Sequence, residues 1–427
     1  MNISFPYGKS SIELELPDNK TSVIYSKIPR GVPPIECYKL IEKSLSNPIG
    51  TEPLERLVRG AKSISILITD KTRATPNRMI LEALLPNLRE LNVPSESIKI
   101  IVATGLHEPH ERQEIIELVG KEISDEYEVL SHDSDKDEDL VYLGRTSFGT
   151  EVYVNKNVVE SDLIIGIGLI EPHFFAGYSG GRKLILPGIS GTKTVYQNHS
   201  YKMLAHPKAD YGYLDGNPIH EDMLEASKMV KNYKFIIHVI LDKEKNIVNV
   251  VTGDPYRAHR AGVNILDKYV KIPVHFRADI TIVTNGGYPL DRNLYQAVKG
   301  MVTGSRVTKR GGIVIMFAEC IDGVGHEHFR ELASIDKDPK RILEYIEKNE
   351  PLRDQWEVQK LEQVLMNNKV IVVTKNIKHS TLEEMNLIPA STAEEALELA
   401  YKKTKCEKML AIPEGPYVIP TYEHISH

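Results

Sequence analysis

Three short polar segments of the sequence contain most of the side chains that could perform chemistry. The segments are TDKTRATP (Thr69–Pro76), ATGLHEPH (Ala103–His110) and GLIEPHFFAGYSGGRK (Gly168–Lys183). Together they supply a carboxylate, a guanidinium, two imidazoles and an amine, from Asp70, Arg73, His107, His173 and Lys183. Such a set suits a site that binds a small anion and moves protons beside it.

Each of these side chains also has a simpler interpretation. The guanidinium of Arg73 matches a carboxylate or a phosphate, but a surface ion pair with Asp70 is an equal alternative. His107 and His110 are three residues apart, yet no further cysteine, histidine or carboxylate completes a zinc pattern. His107 and His173 lie on separate segments, each beside an acidic residue and a proline, and this recurrence favours a pair of acid/base groups.

Glycine-rich stretches follow the third segment. GYSGGRK (Gly177–Lys183) resembles a phosphate-binding loop, because glycines let backbone N–H groups approach an anion. Neither this stretch nor GISGTKT (Gly188–Thr194) ends in the GK[ST] of a P-loop, which argues against ATP hydrolysis. The alternative is a glycine turn without a ligand. His199 lies just beyond, and taken alone it would be a surface histidine.

Short apolar runs precede the polar segments and predict the strands that position them. These runs are apolar on both faces and alternate with helical patterns, which predicts a parallel sheet covered on both sides. In open sheets of this kind, ligands bind beyond the carboxyl ends of the strands. Because each polar segment follows one of the first three strands, we expect the segments to converge on one crevice. The predicted strands are Ser63–Thr69, Ser97–Ala103, Asp162–Gly168 and Lys234–Leu241.

A second series of strands and helices begins after Lys271–Asp279. It contains TNGGYPLDRNLYQAVKG, in which Gln296 and Lys299 share one helix face, and a solvated face is the simpler interpretation. The fold class is therefore predicted to be α/β, with two domains that each contain a mainly parallel sheet flanked by helices. The domains are placed at residues 1–270 and 279–413, with a linker at 271–278 and a tail at 414–427 that packs across a domain surface.

Composition excludes several classes of protein. The chain has 427 residues with 53 Lys+Arg and 59 Asp+Glu, and a formal charge of -6 gives no cationic field for nonspecific nucleic-acid binding. Cys37, Cys320 and Cys406 form no CxxC pair, which favours a reducing cytoplasm. The longest apolar run, Leu163–Ile170, is shorter than the ~20 residues of a membrane-spanning helix. The first residues also lack a signal-peptide pattern. We therefore expect neither a membrane nor a nucleic acid as a partner.

Taken in order, these motifs resemble the nickel-dependent lactate racemase family along essentially the whole chain. The resemblance is carried by DKTRATP, ATGLHEPH, EPHFFAGYSGGRK, the NHS that ends at Ser200, and YQAVKG. It implies an isomerase that interconverts L- and D-lactate in a cleft between two domains. It also implies a nickel pincer cofactor, which is nickel pyridinium-3,5-bisthiocarboxylic acid mononucleotide. Proteins that synthesise this cofactor and insert nickel are implied as partners.

The resemblance assigns roles to the residues of the cofactor site. Lys183 is implied to form the covalent thioamide tether, and His199 to be the protein ligand to nickel. Further cofactor contacts are implied for a short run of residues, Asp70, Lys71, Thr72 and Arg73.

The remaining roles concern the substrate. His107 and His173 are implied to be the acid/base pair, while Arg73, Gln296 and Lys299 bind the substrate. Two bases are reasonable, because the two enantiomers present their hydroxyl groups to a hydride acceptor in different directions. Loss of hydride gives a planar 2-keto acid that accepts it again on the other face. Trp356, the only tryptophan, is also expected near the site.

Three alternatives stay open at this point. A related racemase could act on another 2-hydroxy acid such as malate. An NAD-dependent hydroxyacid dehydrogenase is disfavoured, because no GxGxxG fingerprint follows the early strands. A non-enzymatic two-domain protein that closes over a small anion would use Arg73 and Lys299 but would have no need of two histidines.

Overall fold

The computed structural model describes residues 1–422, and in this part of the chain the strands form two six-stranded sheets and four two-stranded ones. The strands are, in chain order, β1 (Asn2–Tyr7), β2 (Ser10–Glu15), β3 (Thr21–Val23), β4 (Ile64–Thr69), β5 (Ile98–Ala103), β6 (Glu128–Ser131), β7 (Leu140–Arg145), β8 (Glu151–Asn155), β9 (Leu163–Leu169), β10 (Pro172–His173), β11 (Gly177–Tyr178), β12 (Tyr233–Leu241), β13 (Ile247–Gly253), β14 (Lys271–Val274), β15 (Ala278–Thr284), β16 (Thr308–Phe317), β17 (Lys369–Val373), β18 (Ile388–Ala390), β19 (Met409–Ile412) and β20 (Ile419–Tyr422).

Helices connect most of these strands. The α-helices are α1 (Pro34–Leu45), α2 (Leu54–Val58), α3 (Asn77–Glu90), α4 (Arg112–Val119), α5 (Lys121–Glu126), α6 (Lys156–Val159), α7 (Thr192–Asn198), α8 (Tyr201–Leu204), α9 (Pro218–Met229), α10 (Arg257–Val270), α11 (Leu294–Val307), α12 (Glu327–Ala333), α13 (Pro339–Lys348), α14 (Gln355–Leu365), α15 (His379–Glu384) and α16 (Ala393–Lys403). Short 3₁₀-helices lie at Ser95–Ser97, Asp137–Asp139, Gly181–Leu184 and Gly415–Tyr417.

The first large sheet has the strand order β13-β12-β9-β4-β5-β6. All neighbours are parallel except the edge pair β12 and β13, which is antiparallel. Strands β4 and β9 are buried over almost their whole length, as their apolar β-branched sequences require. The four predicted strands of this sheet are confirmed, but the two edge strands, β6 and β13, were not predicted.

The second large sheet has the order β18-β17-β16-β15-β19-β3, with all neighbours parallel. The predicted fold class, α/β with mainly parallel sheets flanked by helices, is therefore confirmed. Strand β3 comes from the N-terminal segment and pairs with β19, and the ring of Phe5 packs edge-on against Phe317 at 5.3 Å. The first residues of the chain thus join the second sheet, while the proposed boundaries at 270 and 279 remain a prediction.

The C-terminal segment packs against β14 and α11. Strand β20 pairs in parallel with β14, and Arg306 Nε donates a hydrogen bond to the carbonyl of Pro420 at 3.1 Å. Residues 423–427 of the predicted tail lie outside the described residues. Within residues 1–422, no helix is both long enough and apolar enough to cross a membrane.

Candidate active site

Two pairs of predicted site residues are in direct contact beyond the carboxyl ends of β4, β5 and β9. Nδ1 of His107, in the segment after β5, lies 2.5 Å from Oδ2 of Asp70, the first residue after β4. Nε2 of His173, in the segment after β9, lies 3.1 Å from Nζ of Lys183. The parallel order of these strands therefore brings the predicted polar segments together.

Asp70 is the buried centre of the first pair. Its other oxygen, Oδ1, accepts hydrogen bonds from the N–H and the hydroxyl of Thr72 at 3.2 and 2.7 Å. Burial alone would raise the pKa of Asp70, but the hydrogen bond from His107 and the charges of His107 and Arg73 outweigh it and lower the pKa. The carboxylate is thus charged and fixes the His107 ring.

Arg73 itself forms no ion pair or hydrogen bond through its side chain within the described residues. The Arg73–Asp70 ion pair that the sequence left open is therefore not formed, because Asp70 is occupied by His107 and Thr72. The guanidinium nonetheless acts on the pKa values of His173, Lys183 and Lys299. It is a half-buried cation free to bind an anion.

Lys71 behaves differently from its neighbours. Its ammonium pairs with Glu114 on α4, and this lysine side chain is about half exposed. Its backbone N–H donates to Nε2 of His110 at 3.1 Å, so His110 supports the loop. A role for Lys71 in binding the cofactor stays a prediction.

Among residues 1–422, no group of three or more His, Cys, Asp or Glu side chains is arranged to hold a metal ion.

His173 lies in a short hairpin of β10 and β11. Its Nδ1 faces the backbone N–H groups of Phe175 and Ala176 at 3.5 and 3.3 Å, and its Nε2 faces Lys183. Burial, followed by the positive charges of Lys183 and the other cations of the site, holds the pKa of His173 well below its ordinary value. His173 is therefore a neutral imidazole.

Lys183 follows the glycine stretch in the 3₁₀-helix Gly181–Leu184. Gly180 and Gly181 have φ of +83° and +57°, and an added Cβ would lie 2.7 Å from His238 and 2.8 Å from His259, so only glycine fits. Burial, then the charges of nearby cations, keeps the pKa of Lys183 well below its ordinary value. An amine in this state is a nucleophile.

His199 follows the last residue of α7 and is 5% exposed. Its ring packs edge-on between Phe175 at 5.1 Å and Trp356 at 5.3 Å. Nδ1 has no hydrogen-bond partner among the described residues, and burial together with the charge of Lys183 lowers the pKa of His199 to about 3. A buried neutral imidazole with an unsatisfied nitrogen fits a metal ligand.

The second sheet contributes Gln296 and Lys299 from α11. Asn293 caps this helix by accepting a hydrogen bond from the N–H of Gln296 at 2.9 Å, and Lys299 Nζ donates to Gln296 Oε1 at 2.6 Å. Both side chains are half-buried, so the interpretation as a solvated face is wrong. Burial and then the charge of Arg73 lower the pKa of Lys299. The hydroxyl of Tyr211 donates a hydrogen bond to the carbonyl of Lys299 at 3.3 Å, so the two halves of the chain meet here.

Three charged residues of this region were not predicted. Glu171 stands in the EPH motif and Arg182 precedes Lys183, so their places in the motifs were a usable signal. Glu357 on α14 is 2% exposed, and burial raises its pKa to about 8 although the charge of Lys299 lowers it. Nothing in the local sequence distinguishes Glu357 from a glutamate on a solvated helix.

The chain matches a known protein family along most of its length. Residues 7–212 match the family model described as lactate racemase N-terminal domain, and residues 274–419 match lactate racemase C-terminal domain. The chain is 39% identical over 423 residues to lactate racemases of Thermoanaerobacterium thermosaccharolyticum and of Lactiplantibacillus plantarum, covering 98% of this chain and 99% of each relative.

Two solved structures have a similar fold. The lactate racemase apoprotein from T. thermosaccharolyticum superposes with a TM-score of 0.93 at 38% identity, covering 99% of this chain and 100% of that one. A protein from Thermotoga maritima shares the fold, with a TM-score of 0.67 at 17% identity over 94% of this chain and 100% of that one.

Proposed function

The chain belongs to the lactate racemase family, and from that premise and the geometry of the site we propose that it interconverts L- and D-lactate. Family membership makes it an isomerase, which removes the alternative of a non-enzymatic anion-binding protein. The observation that carries the proposal is the presence of two histidines in contrasting surroundings. His107 is bound to the carboxylate of Asp70, whereas His173 is buried among cations.

The residues of the site fit the nickel pincer cofactor. Lys183 offers an amine whose pKa burial and nearby cations lower, which favours covalent attachment, and His199 offers a buried imidazole nitrogen without a partner among the described residues. The uncompensated cations suit the phosphate and acid groups of a mononucleotide. When bound, the nickel pincer supplies the hydride acceptor and donor. Proteins that synthesise this cofactor and insert nickel are then required partners.

Cations from both halves of the chain bind the substrate. The free guanidinium of Arg73 and the ammonium of Lys299 attract the carboxylate, and Gln296 holds Lys299 in place through a hydrogen bond of 2.6 Å. Half-burial of these groups limits water near the carboxylate and strengthens the attraction. Two fixed contacts orient C2 of the substrate in the cleft.

Proton transfer is the work of the histidines. With Nδ1 held by Asp70, His107 has Nε2 available to take the hydroxyl proton, and the carboxylate stabilises the imidazolium that forms. Nε2 of His173 faces the Lys183 amine. Burial and the neighbouring cations keep His173 neutral, so that this ring is able to take up a proton as the second base of the pair.

The test is production of the protein with and without the cofactor-synthesis proteins. With them, purified protein should contain nickel, carry an added mass that maps to Lys183, and racemise both lactate enantiomers. Without them it should be unmodified and inactive. Lys183→Ala should abolish the adduct, whereas Lys193→Ala, at an exposed lysine paired with Glu151, is the matched control. Full activity of Lys183→Ala would overturn the tether.

A further inference from the structure

Arg182 is a buried cation that the proposed mechanism does not use. It is 1% exposed and is the largest of the fully buried side chains among the described residues. Within residues 1–422 no carboxylate forms an ion pair with its guanidinium. Burial of a charge without a counter-ion is strongly unfavourable, so we expect a buried arginine of this kind to have a function that offsets its cost in stability.

The guanidinium ties together the loop that carries Lys183. Nη2 donates to the carbonyl of Ala176 at 2.7 Å and Nη1 to the carbonyl of Gly180 at 3.2 Å, while Nε has no partner among the described residues. Nη1 also lies 3.4 Å from Nε2 of His259, but that nitrogen donates its proton to the carbonyl of Ser179 at 2.8 Å.

Neutral histidines surround the guanidinium and leave its charge uncompensated. His238 accepts a hydrogen bond from the N–H of Gly181 at 2.7 Å, and burial lowers its pKa to about 4. Burial likewise holds the pKa values of His220 and His259 far below their ordinary value. None of these rings supplies a negative charge that would offset the guanidinium, and its positive charge acts on the next residue, Lys183.

The contact between His173 and Lys183 points independently to an uncharged lysine. Because Nδ1 of His173 faces two backbone N–H groups, the neutral ring carries its proton on Nε2. That proton points at Lys183 Nζ, 3.1 Å away. An ammonium there would set two donors against each other, whereas a free amine accepts the hydrogen bond.

We propose that Arg182 is a positioning residue that fixes the loop of Lys183 and, through its uncompensated charge, keeps that lysine a free amine ready for acylation. Attachment joins Nζ to a carbonyl-type carbon, expels the leaving group of that carbon and releases a proton from nitrogen, so the lone pair must be free. After burial, Arg182 lowers the pKa of Lys183 most, followed by Arg73 and Lys299, with Glu171 opposing.

The inference rests on the proposed attachment at Lys183, but it can be tested on apoprotein. Trace labelling with acetic anhydride between pH 6 and 11 forms an amide at Nζ, releases acetate and a proton, and is read by peptide mass spectrometry. In the wild type, Lys183 should label with a midpoint well below that of the exposed Lys193. In Arg182→Met the midpoint should rise by about one pH unit or more, which is about a tenfold loss of labelling near neutrality.

Two further variants separate charge from packing. Arg182→Lys keeps a cation and should keep the low midpoint, whereas Arg182→Gln keeps a donor for the carbonyl of Ala176 but should raise the midpoint as Arg182→Met does. Arg182→Gln also serves if the methionine variant does not fold. Equal midpoints in wild type and both neutral variants, or a wild-type midpoint equal to that of Lys193, would overturn the proposal. A shifted midpoint in protein that never acquires an adduct would instead overturn the attachment alone.

Discussion

Oδ2 of Asp70 lies 2.5 Å from Nδ1 of His107, so residues that follow two neighbouring strands, β4 and β5, form one hydrogen-bonded pair. His173 has a different environment, made of backbone N–H groups and the Lys183 nitrogen. The Asp70 carboxylate fixes the orientation of the His107 ring, whereas burial and the charges of nearby cations keep His173 in its neutral form. The two proposed acid/base groups are thus not equivalent, although they act on mirror-image substrates.

Asp70→Asn should reduce lactate racemisation by about 10²–10⁴-fold, because an amide neither stabilises the His107 imidazolium nor enforces its tautomer. Initial rates of the cofactor-loaded variant measure this loss. Asp215→Asn, at an exposed aspartate paired with Arg260, is the matched control and should leave the rate nearly unchanged. An asparagine variant with nearly normal rates would show that the carboxylate does not support catalysis.

His107→Ala and His173→Ala should each reduce racemisation by about 10²–10⁴-fold. The loss must be the same from L- and from D-lactate, since enantiomers have equal free energy and kcat/KM is then equal in both directions. Polarimetry or enantiomer-specific assays measure both. His206→Ala, at an exposed histidine, is the control. Nearly normal rates in either alanine variant would remove the two-base scheme.

A single-turnover experiment separates the two histidines. With loaded enzyme in excess over substrate, each alanine variant should form the 2-keto acid from one enantiomer only, and the two variants should differ in which one. The reason is that the remaining histidine deprotonates only the hydroxyl that faces it. Formation of the 2-keto acid from both enantiomers by the same variant would contradict this assignment.

His199→Ala should lose nickel but keep the covalent adduct, because the imidazole is proposed as the metal ligand and Lys183 as the tether. Metal content and intact mass of the same sample give both readings. His206→Ala, at an exposed histidine just after α8, controls for the loss of a histidine. Stoichiometric nickel that resists dialysis in the His199 variant would contradict the ligand assignment.

Lactate should be preferred over malate. Arg73 and Lys299 provide two cations, and if one binds the cofactor, only one remains for a substrate carboxylate. One extra methylene, as in 2-hydroxybutyrate, should change kcat/KM by about 10–200-fold. The second carboxylate of malate should be rejected more strongly, since an unpaired buried charge is costly. If malate exceeds lactate in kcat/KM, the substrate assignment is wrong while the racemase mechanism stands.

Acid should destabilise the fold below about pH 6.5. Burial lowers the pKa values of five buried histidines in the folded state, so the unfolded chain binds their protons more readily. Their contribution is complete above the unfolded pKa of about 6.5 and is lost as pH falls toward the folded values, at up to about 1.4 kcal/mol per pH unit each. The residues are His132, His199, His220, His238 and His259.

Urea unfolding between pH 7.5 and 5 measures this dependence on the apoprotein. His220→Asn should reduce the slope of the unfolding free energy against pH, because it removes one buried titrating group. His206→Asn is the exposed control. A free energy of unfolding that stays constant across this range would contradict the prediction.

The sequence by itself determined the four inner strands of the first sheet and the polar segments that follow three of them. Apolar β-branched runs are local patterns, and parallel strands place their carboxyl ends at one edge, so Asp70, His107, His173 and Lys183 were predictable as neighbours. The family resemblance in the same motifs also indicated the activity class.

Tertiary structure decided which of these neighbours form pairs. Asp70 contacts His107 rather than Arg73, and Lys71 pairs with Glu114, because partners on separate segments are chosen by distance and orientation in space. The sequence also did not predict that Arg182 and Glu357 are buried, although the place of Arg182 beside Lys183 was visible in its motif. A charged side chain has the same local pattern on a solvated surface as in a core, and only the distant residues packed around it remove its water and shift its pKa.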